Sequence, residues 1–151
     1  MLEVEKPGDL AAHIGQKMGT SDWVLVSQEM INKFADATGD HQWIHVDVER
    51  AKQEMPNGQT IAHGFLTLSL LPLLMDSCYH IRQRSRGINY GSNKVRFTNM
   101  VPSGSRVRLH LSLKGVEPIE GGVRTFCDAE VEIEGQTKPA LIAETIMLAF
   151  D

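Results

Sequence analysis

A carboxylate and an imidazole on one short loop are the minimal pair for moving a proton to and from water near neutral pH. The stretch Thr38-Gly39-Asp40-His41-Gln42-Trp43-Ile44-His45-Val46-Asp47 offers that pair as Asp40 and His45. Asp40 alone would be read as a turn residue, since Asp is favoured in turns. Together with His45 it points to an enzyme. A metal is the competing use of these side chains, with His41 and His45 joined by Asp40 or His63. The spacing is not His-Glu-x-x-His, and no helix is predicted that would put both histidines on one face, so no metal ligand set is assigned.

The pair needs elements that hold it. Trp23-Val24-Leu25-Val26 reads as a short strand, and Ser27 ahead of Gln28-Glu29-Met30 reads as the N-cap of a helix. Met30, Ile31, Phe34, Ala35 and Thr38 keep helical spacing up to Gly39, a C-terminal stop, so Asp40 opens the loop beyond it. A shorter helix is expected from near Asp47 through Val48 to Gln53, ended by the turn chemistry of Pro56-Asn57-Gly58. The apolar run from Ala62 to Tyr79 has no polar face over most of its length, which predicts a helix wrapped by other structure and kinked or broken at Pro72. His63 is expected to cap or pack at the entry of that helix, and Thr67 and Ser69 to bond back to its backbone.

From Arg106 the apolar period changes to two. Val107, Leu109, Leu111 and Leu113 alternate with polar residues, and Val123 to Glu134 repeats the pattern, so each reads as a strand with one buried face. Glu117-Pro118-Ile119-Glu120-Gly121-Gly122 supplies the hairpin loop. A turn near Glu120 sets Arg108 opposite Glu132 and Arg106 opposite Glu134 on the wet face. The last strand, Ala140 to Ala149, is apolar at nearly every residue, as for a central strand covered on both faces. Helices in the first half and strands in the second make an α+β domain. The simplest arrangement is a hotdog fold, a curved antiparallel sheet wrapped around the central apolar helix.

The 151 residues suit one domain spanning 1–151. A net charge of −4 with mixed signs excludes nucleic acid as an expected partner. The apolar segment Gly64 to Met75 is too short to cross a bilayer and contains Pro72, so no membrane is expected. Cys78 and Cys127 carry no Cys-x-x-Cys motif, which favours a reducing compartment while leaving a disulfide between them open. With no signal-peptide core near Met1, the expected location is the cytoplasm.

Phe34 to His45, followed by Ile61-Ala62-His63-Gly64-Phe65, resembles the hydratase-2 signature of MaoC-like (R)-specific enoyl-CoA hydratases, and most of all their short, single-hotdog members related to nodulation protein N. The likeness continues through Ile88 to Phe97 and Val101 to Ser105. The resemblance implies syn hydration of a trans-2-enoyl-CoA to an (R)-3-hydroxyacyl-CoA, and the reverse dehydration. It carries the catalytic roles to Asp40 and His45 and the oxyanion donor to the Gly64 backbone N–H. It further implies a homodimer joined edge to edge, with the CoA tunnel near the interface. Many members have Asn-Pro where this chain has Gln42-Trp43, which leaves the spacing intact and puts acyl-chain preference in question.

The chemistry asks for such groups: a base for the water attacking C3, an acid for C2, and donors for the enolate-like oxygen. No metal or organic cofactor is expected, since the thioester already acidifies the α carbon and CoA is part of the substrate. Trp43, His63, Phe65, Asn93 and Arg96 are the expected substrate contacts, Asn93 and Arg96 towards the CoA phosphates or a carbonyl, with a charged strand edge as their alternative use. Two other functions share the pocket. A hotdog thioesterase usually needs a carboxylate on or near the central helix, which Ala62 to Met75 lacks. A non-catalytic acyl-binding module need not keep both Asp40 and His45.

Overall fold

The computed structural model describes residues 1–151. Strand β1 (Leu2–Val4) and a 3-10 helix (Pro7–His13) lead into β2 (Lys17–Thr20) and β3 (Val24–Val26). Helices α1 (Gln28–Thr38), α2 (Trp43–Val46), α3 (Val48–Glu54), α4 (Gly64–Ser69) and α5 (Leu71–Met75) follow. The chain closes with β4 (Tyr79–Ile81), β5 (Arg86–Phe97), β6 (Ser105–Ile119), β7 (Gly122–Ile133) and β8 (Leu141–Phe150). The main sheet runs β2-β6-β7-β8-β5, with β3 also on β6 and every pairing antiparallel; β1 and β4 pair separately, in parallel. This is the hotdog arrangement, an α+β fold whose curved sheet wraps the α4–α5 helices.

One face of the sheet is largely apolar and packs into the core with the α4–α5 helices. Val107, Leu109, Leu111 and Leu113 are all but completely buried, facing Cys127, Ala129, Val131 and Ile133 across the hairpin. The Arg108–Glu132 pairing is as the charge pattern predicts, with Arg108 Nε 2.7 Å from Glu132 Oε2 and Arg106 Nε 2.6 Å from Glu134 Oε2. The turn residues are Glu120 and Gly121, flanked by the Ile119–Gly122 pair. These ends fit one hairpin only because a bulge between Leu113 and Gly115 absorbs one residue. Gly121 takes φ +74°, the left-handed conformation that such a turn needs.

Three expectations require correction. The first half is not simply helical: β1 and β2 are strands too short to show a period. The α4–α5 unit is broken, but at Leu70, with Pro72 in the first turn of α5, and it ends at Met75 and not Tyr79; nor is it wrapped all round, for Phe65 is 68% and Leu73 53% exposed. That open side adjoins β5, an edge strand exposed along nearly its whole length. Strand β8 is central, between β7 and β5, but only one face is fully covered, and Ile142 is 44% exposed on the other. The cysteines are both free and buried, without a disulfide. No helix is long and apolar enough to cross a membrane.

Candidate active site

Helix α1 begins where Ser27 Oγ accepts the Met30 N–H at 3.1 Å, and ends at Gly39, whose φ of +81° and N–H to Ala35 O turn the chain sharply. Asp40 follows that turn. The expected plain loop to Asp47 contains α2, a single helical turn too short to betray itself by periodicity, and His45 sits on it. Gln28 on α1 buttresses the turn: its Nε2 donates to His45 O at 2.7 Å, while its Oε1 accepts from Thr60 Oγ1.

His45 is 6% exposed. Its Nδ1 lies 2.7 Å from Ile61 O, and because a carbonyl only accepts, Nδ1 carries the proton and Nε2 keeps a lone pair. Burial, the largest influence, pushes its pKa below the ordinary 6.5, and neighbouring His63 adds to the shift; the Ile61 carbonyl and Asp40 oppose it. The neutral, basic imidazole is therefore favoured near neutral pH. His63 is 2% exposed, stacks on His45 at 3.8 Å and packs against Phe34 at 4.8 Å with the rings tilted 55°.

One side-chain ligand atom each from Asp40, His45 and His63 falls within 4.8 Å of the others. His63, not His41, thus completes the cluster; His41 turns away to Asp36, with Nε2 2.9 Å from Oδ1. The same three groups could face a cation, but both histidines already commit one ring nitrogen to a backbone carbonyl.

Gly64 opens α4. The helix's first bonds run from Leu66 and Thr67 N–H to His63 O, so the Gly64 and Phe65 N–H groups are the free donors of a helix start. A Cβ at Gly64 would lie 2.8 Å from the Phe97 ring, so glycine is what lets β5 approach this close. His45, Gly64, Thr67, Phe97, Met100 and Lys138 line one cavity of about 360 Å³. An acid–base group and a backbone donor facing one cavity can serve addition or elimination next to a carbonyl.

The remaining expected contacts are dispersed. Trp43 is half-buried beneath the Arg50 guanidinium, 4.0 Å from its centroid, and Phe65 is exposed at the open side of α4. Asn93 donates to Glu144 at 2.8 Å on the outer face of the sheet, and Arg96 is exposed there with Nη1 on Val95 O. Neither reaches the cavity of His45 within this chain. Phe97, whose inward neighbour is Leu141, is the lining residue that sequence patterning missed. Gln28 was missed as well, since an amide on an exposed helix start gives no sign of its buried role.

Residues 9–133 match the family model described as a MaoC like domain. Over 148 residues the chain is 55% identical to 3-hydroxyacyl-thioester dehydratase Z of Mycobacterium tuberculosis, covering 97% of each. It is 46% identical over 143 residues to nodulation protein N of Rhizobium meliloti, covering 93% of this chain and 89% of that one. Among solved structures, R-hydratase PhaJ1 from Pseudomonas aeruginosa superposes with a TM-score of 0.74 at 21% identity, covering 91% of this chain and 82% of that one; likeness at that identity speaks to the fold. The chain belongs to the MaoC-like domain family and is an enzyme of its dehydratase, or hydro-lyase, kind.

Proposed function

We propose that this enzyme catalyses the reversible, (R)-specific hydration of a trans-2-enoyl-CoA to an (R)-3-hydroxyacyl-CoA. The observation that carries the reading is the free Nε2 of the buried His45 beside the Asp40 carboxylate, with Gly64 lining the same cavity as His45. In the forward direction the Asp40/His45 pair takes one proton from the water that attacks C3 and returns one to C2 on the same face. The base is assigned to the pair and not to either member alone. Charge developing on the thioester oxygen is held by the Gly64 N–H. No metal or organic cofactor takes part.

Phe97 and Met100 give the cavity an apolar rim, and exposed Lys138 offers a cation to a phosphate of the carrier. The name of the 55% identical relative supports a thioester substrate and the dehydration direction. The whole chain works as one domain, in the cytoplasm. Two copies join through the uncovered edge of β5, which exposes Ile88, Tyr90 and Phe97 beside Phe65; a long bare edge of this kind is normally paired or covered.

Crotonyl-CoA tests the reaction. Loss of enoyl absorbance without free thiol is the expected result; release of thiol would make the protein a thioesterase, and neither change would leave an acyl-binding module.

A further inference from the structure

His63 was expected among the substrate contacts, but its surroundings give it different work. Its Nε2 lies 2.9 Å from the backbone carbonyl of Asp40, which fixes that nitrogen as the proton-bearing donor. Its other nitrogen, Nδ1, is fully buried and meets no hydrogen-bonding atom of the chain. A doubly protonated ring would leave an N–H there without an acceptor, so the neutral Nε2–H form is the one that fits. The ring plane stacks on His45, tilted 24° from it, and the ring also packs against Phe34.

Resting on the hydratase reading above, we propose that His63 is a positioning residue: one imidazole, held neutral, ties the Asp40 backbone to the ring of His45 and so fixes the carboxylate against its partner. The Asp40 side chain has no firm anchor of its own. Its Oδ1 has only a long contact, 3.4 Å, from the Gln42 N–H, and the residue is exposed. The restraint that sets where the carboxylate sits is thus applied at its backbone, from the residue that directly precedes the Gly64 donor. Asp40, His45 and Gly64 come from separate elements, and His63 is in contact with the first two and bonded to the third.

The experiment compares His63→Phe, His63→Gln and His63→Asn with wild type on crotonyl-CoA. Phenylalanine keeps a stacking ring without a donor, glutamine brings an amide N–H to where Nε2 sits, and asparagine reaches only the place of Nδ1. His63→Phe and His63→Asn are expected to lose kcat by ~10²-fold, the scale of a small misplacement of reacting groups, with KM moving less than about threefold. His63→Gln should recover most of the loss. A full kcat in His63→Phe, a loss confined to KM, or an equal loss in all three would overturn the assignment. If His63→Phe does not fold, the contrast between glutamine and asparagine decides it.

Nitrogen-15 NMR of the wild-type imidazoles provides a readout independent of turnover. His63 should appear as the neutral Nε2–H tautomer at pH 7, and an Nδ1–H or doubly protonated ring would overturn the proposal. Wild-type protein that leaves both crotonyl-CoA and a longer trans-2-enoyl-CoA untouched while His63 shows the Nε2–H form would remove the hydratase reading and leave the tether standing.

Discussion

His45 and His63 stack at 3.8 Å, and each gives its ring proton to a backbone carbonyl, His45 to Ile61 and His63 to Asp40. Two imidazoles in that relation cannot easily both be charged, and the free lone pair of His45 is left for chemistry. Asp40→Asn and His45→Gln should each lower kcat/KM on crotonyl-CoA by ~10²–10⁴-fold, the range for losing a general acid–base group. Circular dichroism should match wild type. A variant with near-full turnover would take that residue out of the mechanism.

The depressed pKa of His45 has two consequences for pH dependence. Its base form persists below the ordinary 6.5, so the acid limb of kcat/KM should fall at a pH below that value. For stability the sign is that of a depressed group: the unfolded chain binds the proton more readily, so the contribution is complete above 6.5 and is lost as pH falls through the folded-state value. Thermal melts between pH 7.5 and about 5 should show a falling Tm, less steep in His45→Gln. Equal slopes in both proteins would assign the acid loss elsewhere.

Gly64→Ala places a methyl 2.8 Å from Phe97. The clash should cost about 1–3 kcal/mol and disturb the backbone donor, so turnover falls with stability. In the double variant Gly64→Ala/Phe97→Ala the methyl finds room, and most of the clash is relieved. Urea unfolding of the four proteins in the cycle measures the coupling; independent, additive effects would mean the contact is not what excludes a side chain.

Burial raises the Cys78 thiol to about 11 and the Cys127 thiol to about 12. Neither forms thiolate readily at pH 8, so the native protein should react with Ellman's reagent only at the rate of unfolding. In denaturant both thiols should titrate at once. Immediate native reaction would show a more open core.

Gel filtration at micromolar concentration should give a dimer, in keeping with the bare edge of β5. Replacing Tyr90 on that edge by lysine should shift the equilibrium towards monomer. A wild-type monomer would contradict the proposed assembly.

What could be read from the sequence was whatever repeats or punctuates. Ser27 and Gly39 bracket α1 because capping and left-handed termination depend on single residue types. Arg108 and Glu132 announced their register because alternation and charge sign agree along the stretch from Val107 to Leu113. The turn of α2 has four residues and no period, and β1 pairs with β4 over a separation of more than seventy positions, so neither leaves a local trace. Asn93 and Arg96 show a further limit. Their residue types suited a phosphate, but the strand's pleat sends them outward while Phe97 goes in. The stack of His63 on His45 joins α2 to the entry of α4, a contact that only tertiary packing creates.

The bulge at Lys114 makes the β6–β7 hairpin count differently at its two ends. A hairpin that zipped from Glu120-Gly121 without pausing there would carry the turn's count downward and set Leu109 against Glu132. That would force a carboxylate onto the apolar face and strip Arg108 of its partner. The apolar alternation and the Arg106–Glu134 and Arg108–Glu132 pairs therefore agree on one register only, and the residue skipped at position 114 is what reconciles that register with the turn.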